Sequence, residues 1–224
     1  MAPIGKLYGS PLQAQIVAIL SAAAIAGLEI ESPPFEFGVT NKEPDFVHKF
    51  PQRKVPAFEG TDGFKLFEGA IIARYVSSLV PESGLLGRGI KETTIVDQWV
   101  HFAESELILP TGIFFGALVA KVVPGYNVEL HEFWLQRVTC SLKFLEDYLA
   151  TCPSGFIVND SITLADIFIA AATKRSGMTW CGAAERGAYP HVFAHYVKVA
   201  SDGRVKAFFG QPEFVDKPLA FQAE

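Results

Sequence analysis

Cysteine is scarce in this sequence, and its scarcity argues against two kinds of site. Only three cysteines are present, Cys140, Cys152 and Cys181, an odd number without CxxC spacing. Disulfide frameworks and structural zinc sites need more thiols at closer spacing. We therefore expect neither kind of site, and a reducing compartment suits the chain best.

An excess of positive charge is also missing. The formal net charge is -5 and the isoelectric point is near 5.6, whereas nucleic acids and acidic membrane surfaces are usually met by a basic footprint. The N-terminus has no charged segment followed by an apolar one, and the longest apolar stretch, Ile16 to Ala26, is shorter than a membrane span of roughly 18 residues. We expect a cytoplasmic protein with no nucleic-acid or membrane partner.

A metal site is not indicated either. His191 and His195 lie four residues apart on a predicted helix and could share an ion, but no Glu or Cys completes a ligand set beside them. We interpret both histidines as structural.

The first part of the chain alternates strand and helix signals. A strand at residues 4–8 precedes a helix that we expect to be capped by Ser10, to have Pro11 at its first position and to end near Ala26. A parallel strand at 28–31, a short helix at 45–49, two strands around a turn at Gly63 and a helix at 68–79 should follow. The order βαβ and then ββα is the thioredoxin-like arrangement.

The rest of the sequence has helical periodicity throughout. Residues 91–120 are predicted to form one long helix or a kinked pair, with Pro110 and Gly112 marking the kink, and a further helix is predicted at 127–151. Shorter helices are predicted at 190–200 and 204–209, and Thr163-Leu164-Ala165-Asp166 has the pattern of a capping box at the start of another helix. We predict an α/β domain at residues 1–80, a linker at 81–90 and an all-α domain at 91–224.

The stretch from Lys54 to Ile72 carries the strongest functional signal. It reads Lys54-Val55-Pro56-Ala57-Phe58, then a glycine turn, a second apolar strand and Glu68-Gly69 at a helix start. Pro56 fits only the first residue or the edge of a strand and is a candidate cis proline, which would turn the Val55 backbone outward. The helix start offers unpaired N–H groups to an anion.

These residues resemble the glutathione site of the cytosolic glutathione transferases. Three segments are most similar to the transferase-like N-terminal domain of translation elongation factor one gamma and to related stand-alone, fungal-type transferases. They are Pro33-Pro34-Phe35-Glu36-Phe37-Gly38-Val39-Thr40-Asn41, Phe50-Pro51 and Lys54 to Gly60. The resemblance implies a thioredoxin-like domain followed by a helical bundle, and a homodimer. It also implies glutathione as co-substrate and an apolar electrophile as the second substrate, as in detoxification.

The same resemblance leaves two other functions open. One is a non-catalytic scaffold of the elongation-factor-one-gamma type, although the sequence ends at Glu224 without the long linker and second domain of that factor. The other is a pathway-specific, glutathione-dependent isomerase or lyase.

Roles for single residues follow from the resemblance. Val55 and Pro56 would offer a backbone edge to the cysteinyl part of glutathione, while Glu68 and Gly69 would hold the γ-glutamyl end. The glycyl carboxylate would meet Arg53 or Lys54, or less directly Lys42. The chain departs from the family at two of these positions, since Gly69 replaces the usual serine and Arg53 stands where elongation-factor relatives carry a small residue.

The thiol-facing residue is predicted to be Ser10, with Tyr8 as the second choice. A hydroxyl beside a helix N-terminus can donate to a thiolate, but the Ser10 hydroxyl could equally serve only as a helix cap. No cysteine occupies this region, which argues against glutaredoxin-like chemistry. His101, Glu104 and Glu106 could touch the second substrate or could form a solvated helix face.

Overall fold

The computed structural model describes residues 2–219 and 221, and its first part forms a small sheet with flanking helices. The sheet contains β1 (Gly5–Tyr8), β2 (Ala57–Gly60) and β3 (Lys65–Phe67), all antiparallel and in that order. The helices are α1 (Ala14–Ile25), α2 (Pro44–Lys49) and α3 (Gly69–Ser78), with a 3-10 turn at Thr40–Lys42. The predicted thioredoxin-like arrangement is thus confirmed.

The predicted strand at 28–31 is reduced to a single parallel bridge between Lys6 and Glu31. Its direction is as expected, because the Leu7 N–H donates to the Glu31 carbonyl at 2.8 Å and the Glu31 N–H donates to the Gly5 carbonyl at 3.0 Å. The Ile4 N–H also donates to the Glu29 carbonyl at 2.9 Å, so this segment follows β1 without forming a regular strand, and the prolines at 33 and 34 lack the N–H groups that a ladder beyond Glu31 would need. The prediction of a full strand was therefore wrong.

The first helix starts later than predicted. Gln13 is the N-cap residue of α1, and Ser10 opens a separate turn closed by a hydrogen bond from the Gln13 N–H to the Ser10 carbonyl at 2.9 Å. The Gln13 side chain also accepts from the Ser10 N–H at 2.9 Å, and this contact stabilises the turn in place of a first helical turn. Ser10 is consequently not the helix cap that the sequence indicated.

Helical spacing places Ile71, Ile72, Tyr75 and Leu79 on one side of α3 and predicts that this side is buried, but the helix buries a different face. Ile72, Ala73 and Val76 are buried, whereas Ile71 is 50% exposed and Leu79 is 43% exposed. The reason is that α1 packs along α3 on the side of Ile72, and Ile71, one residue earlier, is rotated away from it by about 100°.

The second part of the chain is helical. One helix runs without interruption from Gly89 to Val119 as α4 (Gly89–Phe102), a π-helical segment (Ala103–Ile108), α5 (Leu109–Phe114) and a second π-helical segment (Phe115–Val119). The irregularity predicted at Pro110 thus takes the form of π-helical turns on both sides of α5, which accommodate a residue without an N–H.

By length and composition, this Gly89–Val119 helix could cross a membrane, since its most apolar 18-residue window has a mean hydropathy of 1.4. Its apolar residues are interrupted by polar ones, so the helix contains no long uninterrupted apolar run. The helix packs against α7 and α6, and core helices of globular proteins satisfy the same criterion.

The remaining helices form a bundle around one buried helix. They are α6 (Val128–Leu149), α7 (Leu164–Gly177), α8 (Ala183–Ala188), α9 (Pro190–Ala200) and α10 (Lys206–Phe209). Helix α7 is buried for most of its length and contacts both α1 and α9, so it joins the two halves of the molecule. Helix α8 was not predicted. In α6, helical spacing places Leu130 and Phe133 on one stripe with Val138, Leu142 and Leu145 and predicts that they are buried, but both are exposed.

The predicted order of an α/β domain followed by an all-α domain is confirmed by these elements. Helix α3 ends at Ser78 and α4 begins at Gly89, with a 3-10 turn at Pro81–Ser83 between them. The division into residues 1–80, 81–90 and 91–224 stays a prediction.

Candidate functional site

The loop before β2 contains the cis peptide bond between Val55 and Pro56 that the sequence predicted. Pro56 is buried and Val55 is half-buried. The Val55 carbonyl accepts a hydrogen bond from Nε2 of Gln13 at 3.3 Å, a long contact that leaves acceptor capacity on the oxygen. The loop therefore offers a peptide edge, one atom of which already contacts α1.

Glu68 directly precedes α3 and has a left-handed backbone, with φ of 70°. A residue other than glycine in this region is uncommon, and such strain is concentrated at ligand sites. The Glu68 side chain is exposed. A solvent-accessible carboxylate thus stands beside the N-terminus of a ten-residue helix.

A second carboxylate, that of Glu104, approaches the same helix end from the first π-helical segment. Burial raises the pKa of Glu104, while a hydrogen bond from the Ala70 N–H lowers it and the nearby charge of Glu68 raises it further. One Glu104 oxygen lies 3.5 Å from the position that a Cβ on Gly69 would occupy. The sequence suggested Glu104 as a contact of the second substrate, and the structure places it at the start of α3.

A cleft of about 450 Å³ lies between the Val55–Pro56 loop and the start of α3. It gathers five residues that the sequence analysis named, Lys54, Val55, Pro56, Glu68 and Gly69. It also gathers residues that were missed: Gln15, Lys49, Phe50, Pro51, Gln52, Lys65 and Phe67. Ser10, Tyr8, Lys42 and Arg53 are not among its lining residues.

The cations around this cleft differ in their partners. Lys49 Nζ contacts Glu59 Oε2 at 2.7 Å and Lys65 Nζ donates to the Gly63 carbonyl at 3.1 Å. Within residues 2–219 and 221, the Lys54 ammonium has no hydrogen bond or ion pair. Lys54 is therefore the cleft cation best placed to accept an anionic ligand group.

Arg53 and Lys42 both lie on the exposed surface outside the cleft lining. Arg53 has a left-handed backbone, with φ of 57°. Its carbonyl accepts from Nδ2 of Asn41 at 2.9 Å, so the two loops that carry Arg53 and Lys42 are joined through Asn41.

The two candidates for the thiol-facing residue have different surroundings. The Ser10 Oγ accepts from the Leu12 N–H at 3.3 Å, which leaves its own proton available to a ligand. The Tyr8 hydroxyl instead donates to Glu59 Oε2 at 3.2 Å, and burial together with the negative charge of Glu59 raises the pKa of Tyr8. Among the described residues, the Ser10 hydroxyl thus donates to no partner and the Tyr8 hydroxyl does, and the choice of Ser10 as the thiol-facing residue stays a prediction.

The two histidines considered as a metal pair are engaged elsewhere. His195 Nε2 lies 3.0 Å from Oδ1 of the buried Asp166, and His191 Nδ1 lies 2.6 Å from Glu146 Oε1. In the described part of the chain, no group of three or more histidine, cysteine or acidic side chains is arranged to hold a metal ion.

Comparison with known families agrees with this geometry. Residues 3–78 match the description "Glutathione S-transferase, N-terminal domain" and residues 120–212 match "Glutathione S-transferase, C-terminal domain". The chain belongs to the glutathione S-transferase family.

Relatives of this transferase-family chain are of two kinds. It is 37% identical over 219 residues to the glutathione S-transferase-like protein FUS3 of Gibberella moniliformis, covering 97% of each chain. It is also 31% identical over 224 residues to human elongation factor 1-gamma, covering 98% of this chain but 49% of that protein. Both resemblances stated from the sequence are thereby confirmed.

Solved structures share the fold of this family member. The GST-like domain of elongation factor 1-gamma from Saccharomyces cerevisiae superposes with a TM-score of 0.80 at 21% identity, covering 99% of this chain and 100% of that one. The transferase URE2P6 from Phanerochaete chrysosporium, solved with oxidized glutathione, gives a TM-score of 0.81 at 17% identity over 93% and 96% of the two chains.

Proposed function

We propose that this protein is a glutathione transferase that binds glutathione in the cleft beside α3 and conjugates its thiol to an apolar electrophile. The observation that carries the proposal is the cleft itself, where a peptide edge, an exposed carboxylate, a helix N-terminus and Lys54, which has no ion pair within the described residues, converge. Glutathione has a complementary set of groups: a peptide backbone, an ammonium group and a carboxylate at each end.

Each group of glutathione has a counterpart in this proposal. The Val55 backbone pairs with the cysteinyl residue, and Glu68 accepts from the ammonium group. The Gly69 N–H and the positive end of α3 bind the γ-glutamyl carboxylate. Lys54 binds the glycyl carboxylate through a charge-assisted hydrogen bond, with Arg53 and Lys42 on the outer side of that end.

The thiol faces Ser10, whose hydroxyl donates to the thiolate and lowers the thiol pKa. The exposed Leu12 follows in the same turn and supplies apolar surface next to the reacting sulfur. Tyr8 is the second choice for this role. Location in the cytoplasm and a role in detoxification follow from the same proposal.

The proposal is tested by calorimetric titration with glutathione. We expect saturable binding, and we expect Glu68→Gln to weaken it about 10- to 100-fold because a charged hydrogen bond is worth about 1.5–3 kcal/mol. Glu82→Gln, on the exposed turn between α3 and α4, is the matched control and should leave binding unchanged. Absence of binding by the unmodified protein would refute the proposal.

A scaffold of the elongation-factor type is the second candidate function, because the chain is 31% identical to human elongation factor 1-gamma across nearly all its length. It predicts no glutathione turnover. Conjugation of a general aryl halide would favour the transferase, whereas tight glutathione binding without such turnover would favour a pathway-specific isomerase or lyase.

We also propose a homodimer. Phe67 and Ile71 are exposed on β3 and α3, and Ile95 is exposed on α4. Arg74 Nε of α3 lies 2.9 Å from Asp97 Oδ1 of α4, so the two helices are neighbours, and each carries an exposed isoleucine. Apolar surface of this kind indicates a protein partner.

A further inference from the structure

Glycine at position 69 has a steric cause. Gly69 is the first residue of α3, it is buried, and its backbone lies outside the left-handed region, so its conformation alone does not require glycine. A Cβ built on Gly69 would lie 2.6 Å from both Cβ and Cγ of Gln15. Atoms so near a backbone cannot move aside by rotating the end of a side chain, so any larger residue at 69 would force α1 and α3 apart.

The space left by Gly69 is taken by the stem of Gln15. Gln15 belongs to the first turn of α1 and lines the cleft together with Glu68 and Gly69. Within the described residues, its side-chain amide has no hydrogen-bond partner. Gln15 is therefore a half-buried lining residue of the cleft whose amide donor and acceptor groups are unused within the described part of the chain.

The groups around that amide define what it can bind. Glu68 provides a full negative charge, the start of α3 provides N–H donors, and Gln15 adds a neutral donor and acceptor. An α-amino acid headgroup, with its carboxylate and ammonium on one carbon, matches this combination. A simple anion would be repelled by Glu68 and Glu104, and a simple cation would leave the helix N-terminus unused.

We propose that Gln15 and Gly69 form a size-matched pair in which the Gln15 Nε2 donates to the α-carboxylate of the γ-glutamyl end. This inference rests on the proposed function, since it specifies how the glutathione site recognises one end of its ligand. Gln15 is thus a binding residue contributed by α1, and Gly69 is the residue that admits it.

The binding test compares glutathione with 4-aminobutyryl-cysteinylglycine, which lacks only the α-carboxylate. Gln15→Leu keeps the side-chain bulk and removes the amide, so we expect glutathione affinity to fall about tenfold while the affinity for the analogue stays unchanged. Gln136→Leu, at an exposed position of α6, is the matched control. Equal loss for both ligands, or no loss for glutathione, would overturn the inference while leaving the proposed function in place.

A second test needs no ligand and separates this inference from the proposed function. Gly69→Ala should lower the melting temperature in the unmodified protein because of the clash with Gln15. In a Gln15→Gly background, which removes both clashing carbons, the same change should be neutral or stabilising, because alanine is the better helix former. If Gly69→Ala has the same effect in both backgrounds, the two residues are not matched in size. If the unmodified protein binds no glutathione, the proposed function fails, and the ligand assigned to Gln15 fails with it.

Discussion

At the scale of single residues, Ser10 is the position where the chemistry can be tested directly. Ser10→Ala keeps the backbone contact between the Ser10 N–H and Gln13 but removes the donor to the thiolate. We expect the pKa of bound glutathione to rise by about 1–2 units and turnover to fall about 10- to 100-fold, measured by the pH dependence of thiolate absorbance and by conjugation rates.

The conservative change Ser10→Thr is the control, since it retains a hydroxyl and should preserve much of the activity. Glutathione affinity should change little in either variant. An unchanged thiol pKa in Ser10→Ala would mean that the hydroxyl serves only the turn with Leu12.

Glu104 should make the folding stability of the protein depend on pH, and the direction of its pKa shift fixes the sign of that dependence. Burial raises its pKa in the folded protein, so Glu104 contributes stability below its unfolded pKa of about 4.3, and that contribution is lost as pH rises through the folded value. Glu104→Gln removes this loss. We therefore expect the stability of the variant relative to the unmodified protein to be greater at pH 7 than at pH 4, as measured by denaturant unfolding.

The exposed Glu213 provides the comparison for that experiment. Glu213→Gln should show the same difference from the unmodified protein at both pH values. If the Glu104→Gln variant instead becomes less stable than the unmodified protein as pH rises, the hydrogen bond from Ala70, which lowers the pKa of Glu104, outweighs the effect of burial.

The site could be predicted from the sequence only where its residues are neighbours in the chain. Lys54 to Pro56 and Glu68-Gly69 lie within a hairpin and the helix after it, so local turn and cap signals brought them together. Gln15 and Glu104 reach the same cleft from other elements. Their positions depend on how α1 and the first π-helical segment pack, which periodicity does not determine.

At the scale of elements, the start of α7 is held by a buried carboxylate that accepts several hydrogen bonds. Asp166 is fully buried and accepts from the Thr163 N–H at 2.8 Å, the Thr163 hydroxyl at 2.6 Å and the Ile157 N–H at 2.8 Å. His195 Nε2 lies 3.0 Å from it. This carboxylate therefore joins the capping box, the preceding loop and α9.

Asp166→Asn should cost about 3–5 kcal/mol of unfolding free energy, the usual result of breaking a buried, charge-assisted network. In the variant, the amide NH₂ would face N–H and O–H groups that donate to a carboxylate oxygen in the unmodified protein, so donor would meet donor. Asp160→Asn, at an exposed position of the preceding loop, should change stability by less than about 0.5 kcal/mol. Chemical denaturation measures both, and a small loss for Asp166→Asn would mean that the network rearranges around the amide.

Elements were predictable to the extent that their signals are local. The capping box at Thr163 placed the start of α7 correctly because both of its partners lie within four residues. Helix α8 was missed because its first turn is completed from far along the chain: the Ala183 N–H donates to the Asp216 carbonyl at 2.9 Å. The exposed Leu130 and Phe133 continue the apolar stripe of α6 beyond the bundle that covers its other end.

At the scale of the whole molecule, the exposed apolar side chains of α3 and α4 make the proposed homodimer testable. Ile71→Glu places a charge on the exposed side of α3, where the partner would otherwise exclude water. Since an unpaired buried charge costs several kcal/mol, we expect the dimer dissociation constant to rise at least 100-fold, measured by sedimentation velocity across a concentration series.

Val197→Glu provides the comparison for the dimer, because Val197 is 57% exposed on α9 and Ile71 is 50% exposed on α3. It adds the same charge to a similarly exposed aliphatic position outside the α3–α4 face, and the dimer should persist. Because Ile71 lies two residues after Gly69 on α3, glutathione titration of the Ile71→Glu monomer also tests whether one chain suffices for the site. A monomeric unmodified protein at micromolar concentration would refute the homodimer. If both variants dissociate equally, the interface does not depend on the exposed side of α3.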